Sequence, residues 1–294
     1  DNSFSKMNTI NTGTYSSVWR QAFYSSMMQK VLRNNVVAEA VCDVRRGNDY
    51  YIHNPYGSQP TAQLQATDGS YSVSAWTTTE DSLTVNNEVI YAEHIYDFER
   101  LLAKYDLFAN RVEEQADAIA VGIDKYVVNN LCEDSTGTYT TPAGGFTISA
   151  NINVIMSNLI SKVSGYRGAK PGQLFLIVEN TDLPGIIQAA ASNGFNFADR
   201  ALDNGWAANY MGVDIYVVRT GTFVDDTLAG EAVTNSGHRV FGVKNVSTYA
   251  QPGGMRFEEK GVTAKTGIEF VTYGYVGFKL WSQNTALCVD ITLA

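Results

Sequence analysis

The stretch DLFANRVEEQADAIAVGIDKYVVNNL, Asp106–Leu131, reads as one long amphipathic helix. Phe108, Val112, Ala116, Ile119, Ile123, Val127 and Leu131 recur at steps of three or four, which places them on one helical face. Arg111, Glu114, Gln115, Asp117, Asp124 and Lys125 fall mostly on the other faces. Asp106 stands where a first-turn cap is needed, and Glu133-Asp134 begins the exit. At about 1.5 Å per residue the helix approaches about 40 Å. That is longer than a typical globular helix, so it is expected to serve as a structural axis. Its many charges exclude a membrane span. Gly122 sits in its interior at a cost of about 0.5–1 kcal/mol relative to Ala. It marks a close backbone approach, a bend, or simple tolerance.

Toward the N-terminus, residues 1–13 are rich in Asn, Thr, Ser and Gly and form an arm without a core of its own. The chain opens at Asp1 without methionine, so either the sequence starts late or a protease trims it. A second helix is predicted over Tyr15–Leu32, with Tyr15, Val18, Trp19, Ala22, Phe23, Met27 and Val31 as its stripe. Residues 36–92 turn β-like and polar. Tyr50-Tyr51-Ile52 runs into the turn signal Asn54-Pro55-Tyr56-Gly57. Ala62, Leu64 and Ala66 alternate with polar residues before Asp68-Gly69, and Tyr71, Val73 and Ala75 alternate after it, the pattern of a β-hairpin. Its inward residues are small, and a hairpin with so thin a core is marginal alone in water. It is therefore expected to extend and find its partner on another subunit. Leu83, Val85, Val89 and Tyr91 form the strand leading back, and Tyr96–Tyr105 a short helix.

Beyond the long helix, residues 135–149 read as a Gly/Thr loop and Asn151–Val163 as a helix. Gly172–Val178 is a buried strand, followed by a helix capped at Thr181 or Asp182 with Pro184 near its start. Asn209–Val218 and Arg239–Val243 supply two more strands, which makes an α/β unit of about a hundred residues. In Gly267–Trp281, Ile268, Phe270, Val276, Phe278 and Leu280 share one face, with Glu269, Tyr273, Tyr275 and Lys279 on the other. This is a long half-buried antiparallel strand, with Ala286–Leu293 as its expected neighbour. Gly274 and Gly277 would let a helix come close at Gly122.

The 294 residues are 45% hydrophobic and only 17% charged, so the surface is poor in charge and suited to being covered by partners. Seventeen tyrosines point the same way, since a Tyr side chain joins an apolar body to a polar tip. With a net charge of −9 and no basic block, a dedicated nucleic-acid groove is not expected. Cys42, Cys132 and Cys288 show neither paired nor metal-ligand spacing, which fits a reducing compartment. No signal peptide or transmembrane run is present.

The chemical motifs are equally sparse. The chain has no G-x-S-x-G, no P-loop and no dinucleotide fingerprint. His53, His94 and His238 lie apart without H-E-x-x-H spacing. Glu113-Glu114, Asp225-Asp226 and Glu258-Glu259 read as solvated surface, with a divalent cation at a subunit junction as the minor alternative. No catalytic, cofactor-binding or metal-ligating residue is assigned.

Gly47–Pro55 resembles the strand leading into the extended loop of the major capsid proteins of tailed bacteriophages. Thr78–Val85 is similar to its returning strand, Ala116–Asp124 to the spine helix, and Gly205–Val218 to the strand of the axial domain. The resemblance spans nearly the whole chain as an order of parts. It implies the α+β Hong Kong 97-like fold: an arm with helix (1–40), an extended loop (41–92), a peripheral domain (93–134 and 243–294) and an axial domain (135–242). It further implies self-assembly into hexamers and pentamers of an icosahedral shell around double-stranded DNA, without sequence-specific binding. Scaffold, portal and cement proteins would be partners, and assembly would take place in the bacterial cytoplasm. Some relatives weld subunits through a Lys in the extended loop. Here no lysine occurs between Lys30 and Lys104, so noncovalent contacts are expected. Trp19, Phe23, Tyr50, Tyr51, Tyr56, Asp68, Gly69, Tyr71 and Trp76 are the candidate inter-subunit contacts, because aromatics dominate interface energetics. Gly122 and Gly274 are candidate structural positions. Two other readings stand: an encapsulin-type nanocompartment shell, and an α/β enzyme with a polar pocket in residues 135–242.

Overall fold

The long helix is the axis of the molecule and runs almost a turn further than its apolar stripe suggests. The computed structural model describes residues 22–28, 30, 36–57, 73, 75, 77–96, 107–164, 172–192, 206–228, 230–261 and 267–294. A short helix α1 (Ala38–Val41) precedes strands β1 (Asp43–Arg45), β2 (Tyr51–Gly57), β3 (Thr78–Thr84) and β4 (Asn87–Ile95). The long helix α2 follows as Leu107–Asp134, 28 residues. Glu133 and Asp134 are still helical. Ser135 ends the helix, its hydroxyl donating to the Leu131 carbonyl at 2.5 Å. Asp106 lies outside the described residues.

After α2 come β5 (Gly137–Thr140), α3 (Ser149–Ser164), β6 (Leu174–Glu179), α4 (Leu183–Ser192), β7 (Trp206–Tyr210), β8 (Val213–Val218), β9 (Asp225–Leu228) and β10 (Glu231–Thr234). The chain closes with β11 (His238–Val243), β12 (Ser247–Ala250), β13 (Arg256–Gly261), β14 (Ile268–Leu280) and β15 (Cys288–Thr292). Six strands form one sheet in the order β5-β15-β11-β6-β8-β7, and a second has the order β1-β12-β14-β13, with β4 pairing β14 on the edge opposite β13. Two ribbons, β2–β3 and β9–β10, stand apart from both sheets.

The helix α2 packs against strands of both sheets. Ile119, Ile123, Val127 and Leu131 share one continuous core with Phe175, Ile177, Phe241 and Ile291 of the six-stranded sheet and with Tyr249, Val276 and Leu280 of the other. The side chains of β6 are all buried, which its unbroken apolar run Leu174–Val178 permits. Along β14 the expected alternation holds from Tyr273 to Leu280, apart from the buried Gly277, whereas Ile268 is only half-buried and Val271 is buried. Phe270, Val276, Phe278 and Leu280 are buried, while Glu269, Tyr273, Tyr275 and Lys279 are half-buried. Two polar residues depart from the outward reading of α2: Gln115 is 1% exposed and Asp124 8%. Gln115 bridges Thr272 and Glu93, accepting the threonine hydroxyl at 3.1 Å and donating to the carboxylate at 3.2 Å.

Several connections differ from the sequence reading. The expected loop 135–149 contains β5 and a 3-10 turn, Gly145–Thr147. Asn209–Val218 is a hairpin and not a strand. Met211 (φ 54°) and Gly212 (φ 80°) both take left-handed conformations, the requirement of a two-residue type I′ turn. The strand through Leu83 and Tyr91 is broken at Val85-Asn86 into β3 and β4. The residues of Ala286–Leu293 that form β15 do not pair with β14. They run antiparallel to β11 and parallel to β5, inside the six-stranded sheet.

The glycine contact also differs. A Cβ on Gly122 would first meet Val89 Cγ1 at 4.0 Å, an ordinary contact. Gly274 instead makes room for Met255, and Gly277 for Val85, whose Cγ2 is 2.8 Å from where a Cβ would stand. The expected helix–strand approach between these glycines is absent. The helix expected at Tyr96–Tyr105 falls outside the described residues, apart from Tyr96 itself, which is not helical.

Candidate assembly surfaces

The β2–β3 ribbon is antiparallel, in register from Tyr51↔Thr84 to Gly57↔Thr78. Period two sorts its side chains. Tyr51, His53 and Pro55 are exposed, whereas Ile52, Asn54 and Tyr56 are half-buried. On the open face the Tyr51 and His53 rings meet edge-on at 4.4 Å, and His53 pairs with Glu80 across the ribbon. Tyr50 and Tyr51 are 47% and 49% exposed. Asp68, Gly69, Tyr71 and Trp76 fall outside the described residues, as does the hairpin tip.

The root of the ribbon is fixed to the body. Leu83, Val85, Ala250 and Trp281 form a small buried cluster, with Ile52 and Tyr275 against it. The Trp281 indole N–H donates to Thr248 Oγ1 at 2.9 Å. Asp81 is the polar hub. It receives the Lys279 ammonium at 2.6 Å, the Ser282 amide at 2.9 Å and the Ser282 hydroxyl at 2.8 Å. Burial acts to raise the Asp81 carboxyl, but Lys279 and the two Ser282 donors outweigh it and hold the group at about 2. In the sequence Asp81 reads as one more polar residue of an exposed strand. Its partners lie some two hundred positions away, and no local signal marks it.

Residues 22–28 are helical and dock on their own chain. Met28 is fully buried among Ile95, Val112, Ala116, Phe257 and Phe270. Tyr24 lies 5.4 Å from the Phe257 ring, which stacks on Phe270 at 5.4 Å. The Ser25 hydroxyl accepts the Phe257 N–H at 3.2 Å. Phe23, on the opposite side, is 63% exposed. Trp19 falls outside the described residues.

The polar interior bears on the enzyme reading. Arg239 is buried, bonding Asp182 through Nε and Glu179 at 3.2 Å, and its guanidinium lies 5.1 Å from the Phe223 ring centroid. Glu179 also accepts the Gly221 N–H at 2.9 Å. Nearby His238 Nδ1 and Asp290 pair at 2.8 Å, and the Cys132 thiol, pushed well up by burial, leans on Asp290. These groups saturate one another. Burial and the Asp290 carboxylate both disfavour the Cys132 thiolate, so the thiol stays protonated, the opposite of an activated nucleophile. A polar cavity of about 260 Å³ lies where the ribbon root, the end of α2 and the tip of β9–β10 meet, lined in part by Asn86, Asn87, Tyr126, Asn130 and Lys279. Its lining touches residues 135–242 only at Leu228, and Asn87 already donates to the Tyr126 hydroxyl at 2.6 Å. Among the described residues no three His, Cys, Asp or Glu side chains are grouped to hold a metal, and no helix is long and apolar enough to cross a membrane.

No family model matches the chain, and no curated protein matches it. Solved structures do. The capsid of cyanophage P-SCSP1u aligns at a TM-score of 0.64 over 86% of this chain and 86% of that one, at 10% identity. The mature capsid of bacteriophage PhiM1 aligns at 0.61 over 90% and 86%, also at 10% identity. The chain carries the Hong Kong 97-like capsid fold. A virus-like particle from Pyrococcus furiosus shares this capsid fold at a TM-score of 0.58, covering 91% of this chain and 97% of that one at 10% identity. With nine residues in ten different, the capsid fold is preserved here as a backbone path, built from this chain's own packing.

Proposed function

We propose that the chain is a major capsid protein that self-assembles into the icosahedral head of a tailed phage, enclosing double-stranded DNA. The observation that carries this reading is a protruding two-stranded ribbon with an open aromatic face on a capsid fold. In this reading the six-stranded sheet with α3 and α4 is the axial domain, clustering subunits into hexamers and pentamers. The strand Cys288–Thr292 returns to join it. The spine helix and the sheet around β14 are the peripheral domain, and the ribbon laps over neighbours together with the part of the arm that precedes the docked residues 22–28.

Each contact can be weak, because every subunit touches several others and the contacts sum. The stretch from Lys30 to Lys104 offers no interior lysine for a covalent weld, so the shell holds by noncovalent contacts, with cement proteins as an added support. A net charge of −9 leaves the packed genome ungripped and mobile. Scaffold and portal proteins complete the assembly in the host cytoplasm. The role is structural, not catalytic.

Negative-stain microscopy of the purified chain tests this. Closed or partial shells are expected, dissociating to a single band at the chain's own mass on a denaturing gel. A monodisperse monomer under all assembly conditions would overturn the proposal. The alternative, a cargo-holding nanocompartment shell, is not favoured by the phage-capsid likenesses. Nuclease-protected DNA inside particles purified from an infected host separates the two, since only the phage head carries a genome.

A further inference from the structure

Asp124 lies in the middle of α2 and is buried, although the charge pattern of the helix reads it as outward. Its Oδ1 accepts the Val37 N–H at 2.8 Å, and the Ala38 N–H also turns to it. Those amides open α1, whose own N-cap supplies no side-chain bond. A carboxylate 87 positions away therefore caps the joint through which residues 1–35 connect to the body. The joint is seated deeply. Val36, Val37, Ala38 and Val41 are at most 2% exposed and share the core of Ile119, Ile123 and Val127.

No cation offsets this charge among the described residues. The bases on surrounding elements are held by other carboxylates: Arg46 by Glu39, Lys125 by Asp226, Arg239 by Glu179 and Asp182, Lys279 by Asp81. Arg111 on α2 pairs with Glu93 of β4, and His238 of β11 with Asp290 of β15. The titratable groups that feel the Asp124 charge are Cys42 from the α1 segment and Tyr249 from β12; Glu39 also reaches both, and Arg46 reaches Tyr249. Burial pushes the Cys42 thiol up to about 12 and the Tyr249 hydroxyl higher still, so both stay neutral at physiological pH.

We propose that Asp124 is a proton-operated latch: it holds a proton while residues 36–42 are seated on α2 and yields it to solvent when they lift, so seating tightens as pH falls. Burial without a cation raises its carboxyl to about 7, only partly countered by the Val37 and Ala38 amides. Released into water, the same group titrates near about 3.9. The seated value is the higher one, so between the two values the seated state binds the extra proton. The stabilisation is full below about pH 4, is lost as pH rises through about 7, and is constant beyond. The latch is independent of whether the chain tiles a shell.

Hydrogen–deuterium exchange of the full chain, corrected for intrinsic rates, tests it. Amides 36–42 should be protected about tenfold or more better at pH 5.5 than at pH 8.5. Asp124→Asn keeps an acceptor oxygen for the amides and cannot ionise, so its protection should be flat over that range. Equal pH dependence in wild type and variant would overturn the latch. A carboxyl titration by 13C NMR on aspartate-labelled wild type needs no variant and decides the matter even if Asp124→Asn does not fold. A midpoint between about 6 and 8 supports the latch, and any other value sinks it.

Discussion

Arg239 is surrounded by carboxylates it cannot leave without penalty. Removing one partner from a buried ion cluster strands the remaining charges, at a cost of about 3–5 kcal/mol. Arg239→Met should therefore lower stability by about that amount in urea unfolding. The triple change Glu179→Gln, Asp182→Asn, Arg239→Met should recover most of it. A single variant as stable as wild type would show that water reaches the cluster. At Asp81 the sign with pH is opposite to that at Asp124. Its seated value is the depressed one, so its stabilisation is present above about pH 4 and lost as pH falls toward about 2. Asp81→Asn should cost about 1–2 kcal/mol at neutral pH, with the two chains converging near pH 2. Thermal unfolding across pH checks this, and a constant gap would refute it. None of these roles was legible in the sequence. Arg239, Asp81, Asp124 and Gln115 each sit in a local pattern that reads as ordinary, and what buries them comes from distant segments.

At the scale of elements, periodicity was reliable wherever the cause was local. The stripe of α2 from Val112 to Leu131, the alternation in the second half of β14 and the apolar run of β6 survive in the folded chain. Turns were harder. Met211-Gly212 reverses the chain although methionine rarely takes a positive φ, so the sequence there looks like unbroken strand. Glycines divide by surroundings that sequence does not display. Gly185, in α4, leaves no room: an added Cβ would collide with the Phe146 carbonyl oxygen and stand 2.8 Å from that of Thr147. Because the obstacle is backbone, Gly185→Ala should cost about 1–3 kcal/mol. Gly122 is open by comparison, and Gly122→Ala should gain up to about 0.5–1 kcal/mol from helix propensity. Thermal melts of the two variants side by side test the contrast, and a destabilised Gly122→Ala would contradict it.

For the whole molecule, the order of parts was legible and the closing of the sheets was not. The long helix, the ribbon and the α/β body together carry the resemblance to the capsid fold. Nothing in Cys288–Thr292 announces which sheet it joins, because any short apolar strand fits several edges. The exposed tyrosines of the ribbon support a prediction that separates folding from assembly. Truncating Tyr50 and Tyr51 to Ala together should leave solution stability within about 0.5 kcal/mol, as for other exposed sites. It should sharply reduce the yield of shells seen by microscopy. Normal shells from the double variant would remove these side chains from the interface.

The position of β15 between β5 and β11 sets a timetable for synthesis. Its two neighbours emerge from the ribosome first and must wait with facing edges unpaired. Translation onward to Thr292 takes about 8–30 s from the end of β5 and about 2–10 s from the end of β11, at about 5–20 residues per second. During that interval a nascent chain has open strands and no finished body, a state that invites premature association and rewards a chaperone. Only once the last strand slides into its slot does a subunit exist that is fit to meet its neighbours.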